Sequence, residues 1–467
     1  MSEPPNFAAT VSRGLKECQP ALNGDDPSAS HSEQLPSYQG LNPRTTASMS
    51  ELHELLKAQT ARLHERLETL PFFRALRVGD LPALAVVSFL ESLAIIHAVL
   101  ERSLAEVLDG PIAELRQHVQ PKIPLLMADL DTLGAAGLPS VSSAIGGALG
   151  YAADILTNAN NPLTLIGPLY VLEGSQNGGL ALKRAYASCL GVPKDQLSYI
   201  GCYGSRTAAH WKAFTHQLDL LPLTEDSATQ IVESAIDCFE QLAKICAALF
   251  PYSDKDLKHH HVASINFEAG NHAMPQNPLE IALALRAAAI AWKEHPYLEC
   301  RFGERGQRFI RSDSCWLVTL THLPVDTVTQ SLSWLRTVLA SRGIPTVILK
   351  GHLQTIRRAI GVDFPDQTEM QARFDPFLSS LETERQALGA TDAHSQLIDE
   401  FDPRLRACEG FKVPFAAELI TSAWIDERVG IGDSFAAVRD WFIDSRRFSS
   451  GWITCVNDFV DKLNQAA

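Results

Sequence analysis

From Met49 onward, apolar residues recur at the three- and four-residue spacing of amphipathic helices and scarcely at the two-residue spacing of strands. Leu52, Leu55, Leu56, Leu63, Leu67 and Leu70 open the pattern. Asp80 reads as the N-cap of a long, very apolar helix ending near Leu108. Helices follow over Ile123–Leu133, Ala144–Leu156, Pro162–Leu190 with Gly191 as C-cap, Arg206–Leu221 and Asp226–Phe250. A second series covers Leu279–His295, Val325–Arg342, Thr346–Ile360, Gln367–Leu388, Phe411–Arg428 and Ser434–Phe442. Cys315–Leu320 fits either a strand or part of a buried helix. The chain is thus all-α, with a first multi-helical domain at 49–250 and a polar, His-containing connector at 251–278. A second, mostly helical domain follows at 279–467. Residues 1–48 are rich in Pro, Ser, Asn and Gly without periodicity, the composition of a disordered tail.

Composition narrows the class. The length of 467 residues suits two to three domains, and 46% hydrophobic residues suffice for a sizeable core. A net charge of -14 argues against a protein that coats nucleic acid or anionic lipid. The nine cysteines are scattered and include no C-x-x-C pair, which fits reduced thiols in a cytoplasmic protein better than disulfides or a zinc site. With no run of about 18 apolar residues free of charge, no membrane span is expected. The first residues lack the basic flank and apolar stretch of a signal peptide.

Candidate chemistry lies in a few segments. Leu169–Lys183 reads as helix yet contains Gly174, Gly178 and Gly179. Each costs roughly 1 kcal/mol relative to alanine in a helix interior. A chain keeps such a cost where backbone must pass close to something flat or bulky. Lys57, Thr60 and His64 sit three and four residues apart and share a helix face, from which a neutral imidazole could ligate a metal. His97, on the very apolar helix, reads as a buried, hydrogen-bonded core residue. His259, His260 and His261 read as connector, since consecutive histidines cannot converge on one ion in a regular element. Arg301–Arg311 is a basic run with Gly303 and Gly306. It could cradle an anion, although a solvated turn with internal pairs such as Glu304–Arg308 is the simpler reading. It lacks the phosphate-loop pattern.

Taken in order, Thr60-x-x-x-His64, Pro71-Phe-Phe-Arg74, Leu169-Tyr-Val-Leu-Glu-Gly-Ser-x-x-Gly-Gly179 and Trp211-Lys-x-Phe214 resemble bacterial biliverdin-producing heme oxygenases. The likeness covers residues 50 to 250. It implies that heme is both cofactor and substrate, opened by O2 and electrons from a ferredoxin or a reductase to biliverdin, carbon monoxide and iron. By the same resemblance His64 would be the proximal iron ligand. Gly174, Ser175, Gly178 and Gly179 would be the catalytic stretch over the other heme face. Lys57 and Lys212 would hold the propionates, with Thr60 and Tyr170 completing the heme-binding set. The chain departs from the family in carrying Ser175 where mammalian members have an aspartate, and Asn177 where an apolar residue is usual. Pro168 predicts a kink in the distal helix. Two other readings stand beside this one. The first is a non-catalytic heme- or tetrapyrrole-binding or sensor protein on the same fold. The second is a di-iron oxygenase, for which Glu173 has no Asp or His beside it in sequence. Residues 262–467 match no family by their motifs.

Overall fold

The structure, a computed structural model, describes residues 51–388 and 392–465; the tail expected at 1–48 lies outside them. The described residues are helical almost throughout, with only two strands of two residues each, Ser140–Val141 and Leu257–Lys258. They form two compact units, one of residues up to 147 and 158–257, the other of 148–157 and 258–467.

The first unit contains α1 (Leu52–Glu68), α2 (Pro71–Val78), α3 (Ala83–Glu106), α4 (Gly110–Gln117), α5 (Ile123–Thr132), the start of α6 (Ser142–Asn158), α7 (Ile166–Leu190), α8 (Thr207–Asp219) and α9 (Glu225–Leu249). Pro71 at the start of α2 gives up a donor that the first turn leaves unbonded anyway. Gly79 ends α2 in the left-handed conformation, φ 81°. Asp80 is not the N-cap of α3. Its backbone N–H donates to Ala75 O and closes the end of α2. The N-cap position of α3 falls to Pro82, which has no N–H of its own to leave unbonded. Helix α3 is long and apolar enough to cross a bilayer by length and composition, but 94% of its most apolar 18 residues are buried inside the fold. Its polar residues are buried with partners. Ser92 Oγ bonds Ser88 O, Ser140 Oγ donates to Glu91, and His97 meets Tyr199. This is a core helix.

Helix α6 starts in the first unit, and its residues 148–157 belong to the second. That division differs from a boundary at residue 250. Tyr151, Ala152 and Ile155 are all buried, and a 49–250 fragment keeps them while discarding the unit they pack in. Exposing each large apolar side chain costs about 1.5–3 kcal/mol. The fragment is therefore expected to melt at lower temperature than the full chain in circular dichroism. An unchanged melting temperature would mean that these side chains find full cover without residues 258–467.

The second unit holds α10 (Pro278–Glu294), α11 (Pro296–Leu320), α12 (Val325–Ser341), α13 (Thr346–Asp363), α14 (Thr368–Ala372), α15 (Asp375–Ala387), α16 (Asp392–Ala407), α17 (Ala416–Arg428), α18 (Ser434–Phe442) and α19 (Ser450–Gln465). Its core includes the fully buried rings of Phe401, Phe442, Trp452 and Phe459. Cys315–Leu320 forms the last turns of α11, not a strand. Arg301–Arg311 is helical rather than a turn, broken at Gly303. Its expected internal pair is replaced: Arg305 and Arg308 both bind Glu268 in the segment before α10. The eight described cysteines are free thiols.

Candidate functional site

Helix α1 buries Leu52, Leu56 and Thr60 and leaves Lys57 and His64 exposed. The three candidate residues therefore do not share one open face. Thr60 lies on the inner flank, where its hydroxyl donates to Leu56 O at 2.8 Å and so satisfies itself within the helix. Lys57 Nζ lies 3.4 Å from Glu54, an exposed pair one turn apart. The His64 side chain is 60% exposed and sits edge-on to Phe239 of α9, ring centroids 6.0 Å apart. Its Nδ1 lies 3.7 Å from Glu68 Oε1. No described residue hydrogen-bonds its Nε2. Both α1 and α7 pack on α9, which carries them as neighbouring elements. No hydrogen bond or ion pair joins His64 to α7.

Helix α7 runs unbroken from Ile166 to Leu190. The kink expected at Pro168 is absent, because Pro168 falls in the first turn, where the missing N–H breaks no intrahelical bond. The glycines of α7 face three ways. A Cβ on Gly174 would come 3.1 Å from the Trp211 ring, so this glycine admits an indole. A Cβ on Gly179 would come 3.4 Å from Gly201 N. This glycine lets the 197–203 loop close on the helix. Only Gly178 opens onto free space, with nothing within 4 Å of a Cβ built there. Open space thus lies at Gly178, and close packing at its two companions. Ser175 and Asn177 are exposed beside it.

The 197–203 loop is pinned from two sides. Asp129 of α5 accepts the backbone N–H groups of Ser198 and Tyr199 at 2.6 and 2.9 Å. Burial still raises its carboxyl above the usual range, despite those bonds. Gln176 Oε1 of α7 accepts from Gly201 N at 3.2 Å. The loop thereby delivers two buried tyrosines to α7. The hydroxyl of Tyr199 hydrogen-bonds His97 Nε2 at 3.2 Å, while the Ser175 hydroxyl donates within α7 to Leu172 O at 2.6 Å. His97 Nδ1 lies 3.5 Å from Glu101 Oε1. Burial, and next the charge of Glu173, raises the Tyr199 phenol far above its ordinary range, so it stays neutral. Tyr199, His97 and Glu101 therefore form a short row of polar groups that reaches the part-exposed Glu101.

The other tyrosine, Tyr203, enters a buried charged network that the sequence did not betray. Glu173 receives the Lys122 ammonium, the Tyr203 hydroxyl at 2.9 Å and the His210 ring at 3.1 Å. Lys122 also donates to Tyr203 OH at 3.0 Å and Gln120 O at 2.7 Å. His210 stacks on Tyr203 with centroids 3.6 Å apart. Burial pushes the Glu173 carboxyl up, but His210, Lys122 and Tyr203 together outweigh it and hold it below the ordinary value. Lys122 and Glu173 are separated by 51 residues in sequence, so no local spacing could have paired them. The ammonium takes the place a metal ion would need at Glu173. Among the described residues no three His, Cys, Asp or Glu side chains are grouped to hold a metal. A di-iron centre has no ligand set here, whereas a heme iron needs from the protein only an axial ligand.

Tyr170 is buried against His53 and Trp211, at centroid distances of 6.1 and 5.4 Å. Burial raises its phenol to about 12. Lys212, the neighbour of Trp211, is exposed and forms no ion pair among the described residues.

Residues 50–248 match the sequence model of the heme oxygenase family, and this segment is a heme oxygenase-type domain. No curated protein matches the chain. Solved structures similar to it include heme oxygenase-1 from the cyanobacterium Synechocystis sp. PCC6803 in complex with heme. That match has 17% identity, 43% of this chain and 93% of that one covered, and a TM-score of 0.39. Heme oxygenase from Leptospira interrogans matches at 20% identity, with 42% and 99% covered and a TM-score of 0.38. Heme oxygenase-2 from Synechocystis sp. PCC 6803, in complex with heme and NO, matches at 20% identity, with 43% and 85% covered and a TM-score of 0.38.

Proposed function

We propose that the first domain is a heme oxygenase that binds heme through His64 and opens it to biliverdin, carbon monoxide and iron. The observation that carries this reading is the state of His64. His97 and His210 are engaged by Tyr199 and Glu173, while His64 is exposed with Nε2 free. The nearby Glu68 carboxylate favours the proton on Nδ1 and so leaves the Nε2 lone pair for iron. The clear space over Gly178 suits a flat ring lying against α7.

Bound there, heme would supply the iron at which O2 is reduced and the ring that is opened. The protein's own part is to seat the ring. Ser175, exposed on α7 where the resemblance puts an aspartate in mammalian members, keeps its hydroxyl on Leu172 O and offers its oxygen to a ligand over the helix. Lys57 and Lys212 are the cations offered to the propionates. Lys57 would exchange an exposed partner, Glu54, worth less than about 1 kcal/mol. Electrons would come from a ferredoxin or a reductase.

Hemin added to purified protein should give a Soret band that decays, after ascorbate or a reductase, into the broad red absorption of biliverdin. A Soret band that persists would make the domain a tetrapyrrole-binding protein instead. Gly178 offers a sharper check. Gly178→Ala places a methyl in open space and removes a helix glycine, so the apo protein should gain roughly 1 kcal/mol of stability. Turnover of heme should fall in the same variant. Undiminished turnover would remove Gly178 from the site.

A further inference from the structure

The basic run in the second unit belongs to a cavity. A space of 420 Å³ is enclosed by α11, α12, α13 and the end of α10, with walls of Trp292, Phe302, Phe309, Leu335, Ile344 and Ile348. That volume falls within the range of small-molecule pockets, about 300–1,000 Å³. Its wall depends on two glycines. Gly303 breaks α11 with φ 52° and ψ −149°, a conformation that favours glycine. Gly306 then lies so close to Phe302 that a Cβ would come within 2.5 Å of the Phe302 Cβ and 3.2 Å of the Trp292 ring. A side chain at either position would disturb the wall.

The cavity's polar groups are few and incompletely matched. Arg305 and Arg342 lie by Phe309, their guanidinium carbons 5.6 and 5.8 Å from the ring centroid. Arg301 is fixed by Tyr297 OH at 2.6 Å and Ala437 O at 3.2 Å. Arg305 has Glu268 as partner, but Arg301 and Arg342 form no ion pair among the described residues. Asp313 also lines the space and accepts no hydrogen bond from any described residue. Burial raises its carboxyl to about 7, against the pull of Arg342. Near neutral pH a good fraction of it is therefore an acid able to donate. The unit's larger cavity, 830 Å³, differs in this respect: Arg336 and Lys350 on its wall are already paired with Asp426 and Glu382.

We propose that this smaller cavity binds an amphipathic carboxylate, its apolar body among the aromatic and aliphatic walls and its carboxylate on Arg342 and Arg301. Planar guanidinium groups suit a carboxylate because each can offer it two parallel N–H bonds. The apolar walls exclude a small free anion as the preferred ligand, since such an ion would have to shed its water there without compensation. A long-chain fatty acid and a tetrapyrrole bearing propionates share this chemistry, and direct binding separates them.

The experiment is calorimetric titration of the full chain with palmitate, with biliverdin and with hexadecanol. Binding of either carboxylate, one per chain, with hexadecanol at least about tenfold weaker, is expected. Which carboxylate binds identifies the source. Arg342→Ala removes an exposed side chain and should weaken binding by about tenfold. Ile348→Trp should abolish it by filling the space. Circular dichroism melts of both variants that overlay the parent's would show that they remain folded. Two results would overturn the proposal: no binding of either carboxylate, or binding that both variants retain unchanged. Equal affinity for hexadecanol would refute the arginine assignment.

Discussion

Replacing His64 with alanine should abolish the ferric heme spectrum of the protein, and imidazole added to the buffer should restore part of it. The side chain is exposed and makes one edge contact with Phe239. Exposed substitutions of this kind change stability by no more than about 0.5 kcal/mol. Loss of heme in a variant with an unchanged melting curve therefore reports ligation and not unfolding. Affinity for hemin should drop by well over tenfold, more than about 1.4 kcal/mol. If the variant binds and degrades heme like the parent, the axial ligand is another residue. His97 is a poor substitute, being buried and held by Tyr199. The ligand would then be sought at His53, a part-buried ring beside Tyr170 and Trp211.

The largest effect on stability is expected at Glu173. Glu173→Ala leaves the Lys122 ammonium buried without its counter-charge, and Lys122→Met does the converse. Breaking a buried pair from one side costs about 3–5 kcal/mol, because the remaining charge keeps its desolvation penalty. The double variant Lys122→Met with Glu173→Leu should recover much of that loss. Urea melts of the four proteins measure the coupling; a double variant no more stable than the sum of the singles would refute it. The same network makes a pH prediction. His210, Lys122 and Tyr203 hold the folded-state carboxyl of Glu173 below its ordinary value of 4.5, against the effect of burial. The unfolded chain therefore takes up that proton first as pH falls. The contribution to stability is complete above the ordinary carboxylate range and is lost as pH falls through the lowered folded value. In the Glu173→Ala protein this part of the acid dependence should be missing.

The long helices of the first unit are legible because each buries a stripe that the chain writes locally, whereas the eight-residue helices Pro71–Val78 and Gly110–Gln117 are too short to show one. The end at Gly191 follows from a left-handed cap that favours glycine. Legibility fails in the second unit where helices are polar or interrupted. Asp392–Ala407 and Ser450–Gln465 escape notice. Gln367–Leu388 reads as one helix but breaks at Arg373 and Phe374, before Pro376 restarts it. Arg301–Arg311 has the composition of a solvated turn, yet tertiary packing folds it as helix around the Gly303 break and gives Arg305 and Arg308 to Glu268.

What the sequence by itself determines is the all-α class, the order of the first unit's helices, and the presence of His64 and a glycine-rich stretch at 174–179. These are local properties of periodicity, capping and residue type. What only the tertiary structure decides is which way each of those residues faces. Gly174 and Gly179 turn out to accommodate Trp211 and Gly201, and Gly178 alone meets open space. Thr60 turns inward and His64 outward on the same helix. Lys122 reaches Glu173, and Tyr199 reaches His97, across separations for which local spacing carries no signal. The physical reason is that a buried charge or hydroxyl must find its partner in the folded core. That partner is set by which helices pack together and not by neighbours along the chain.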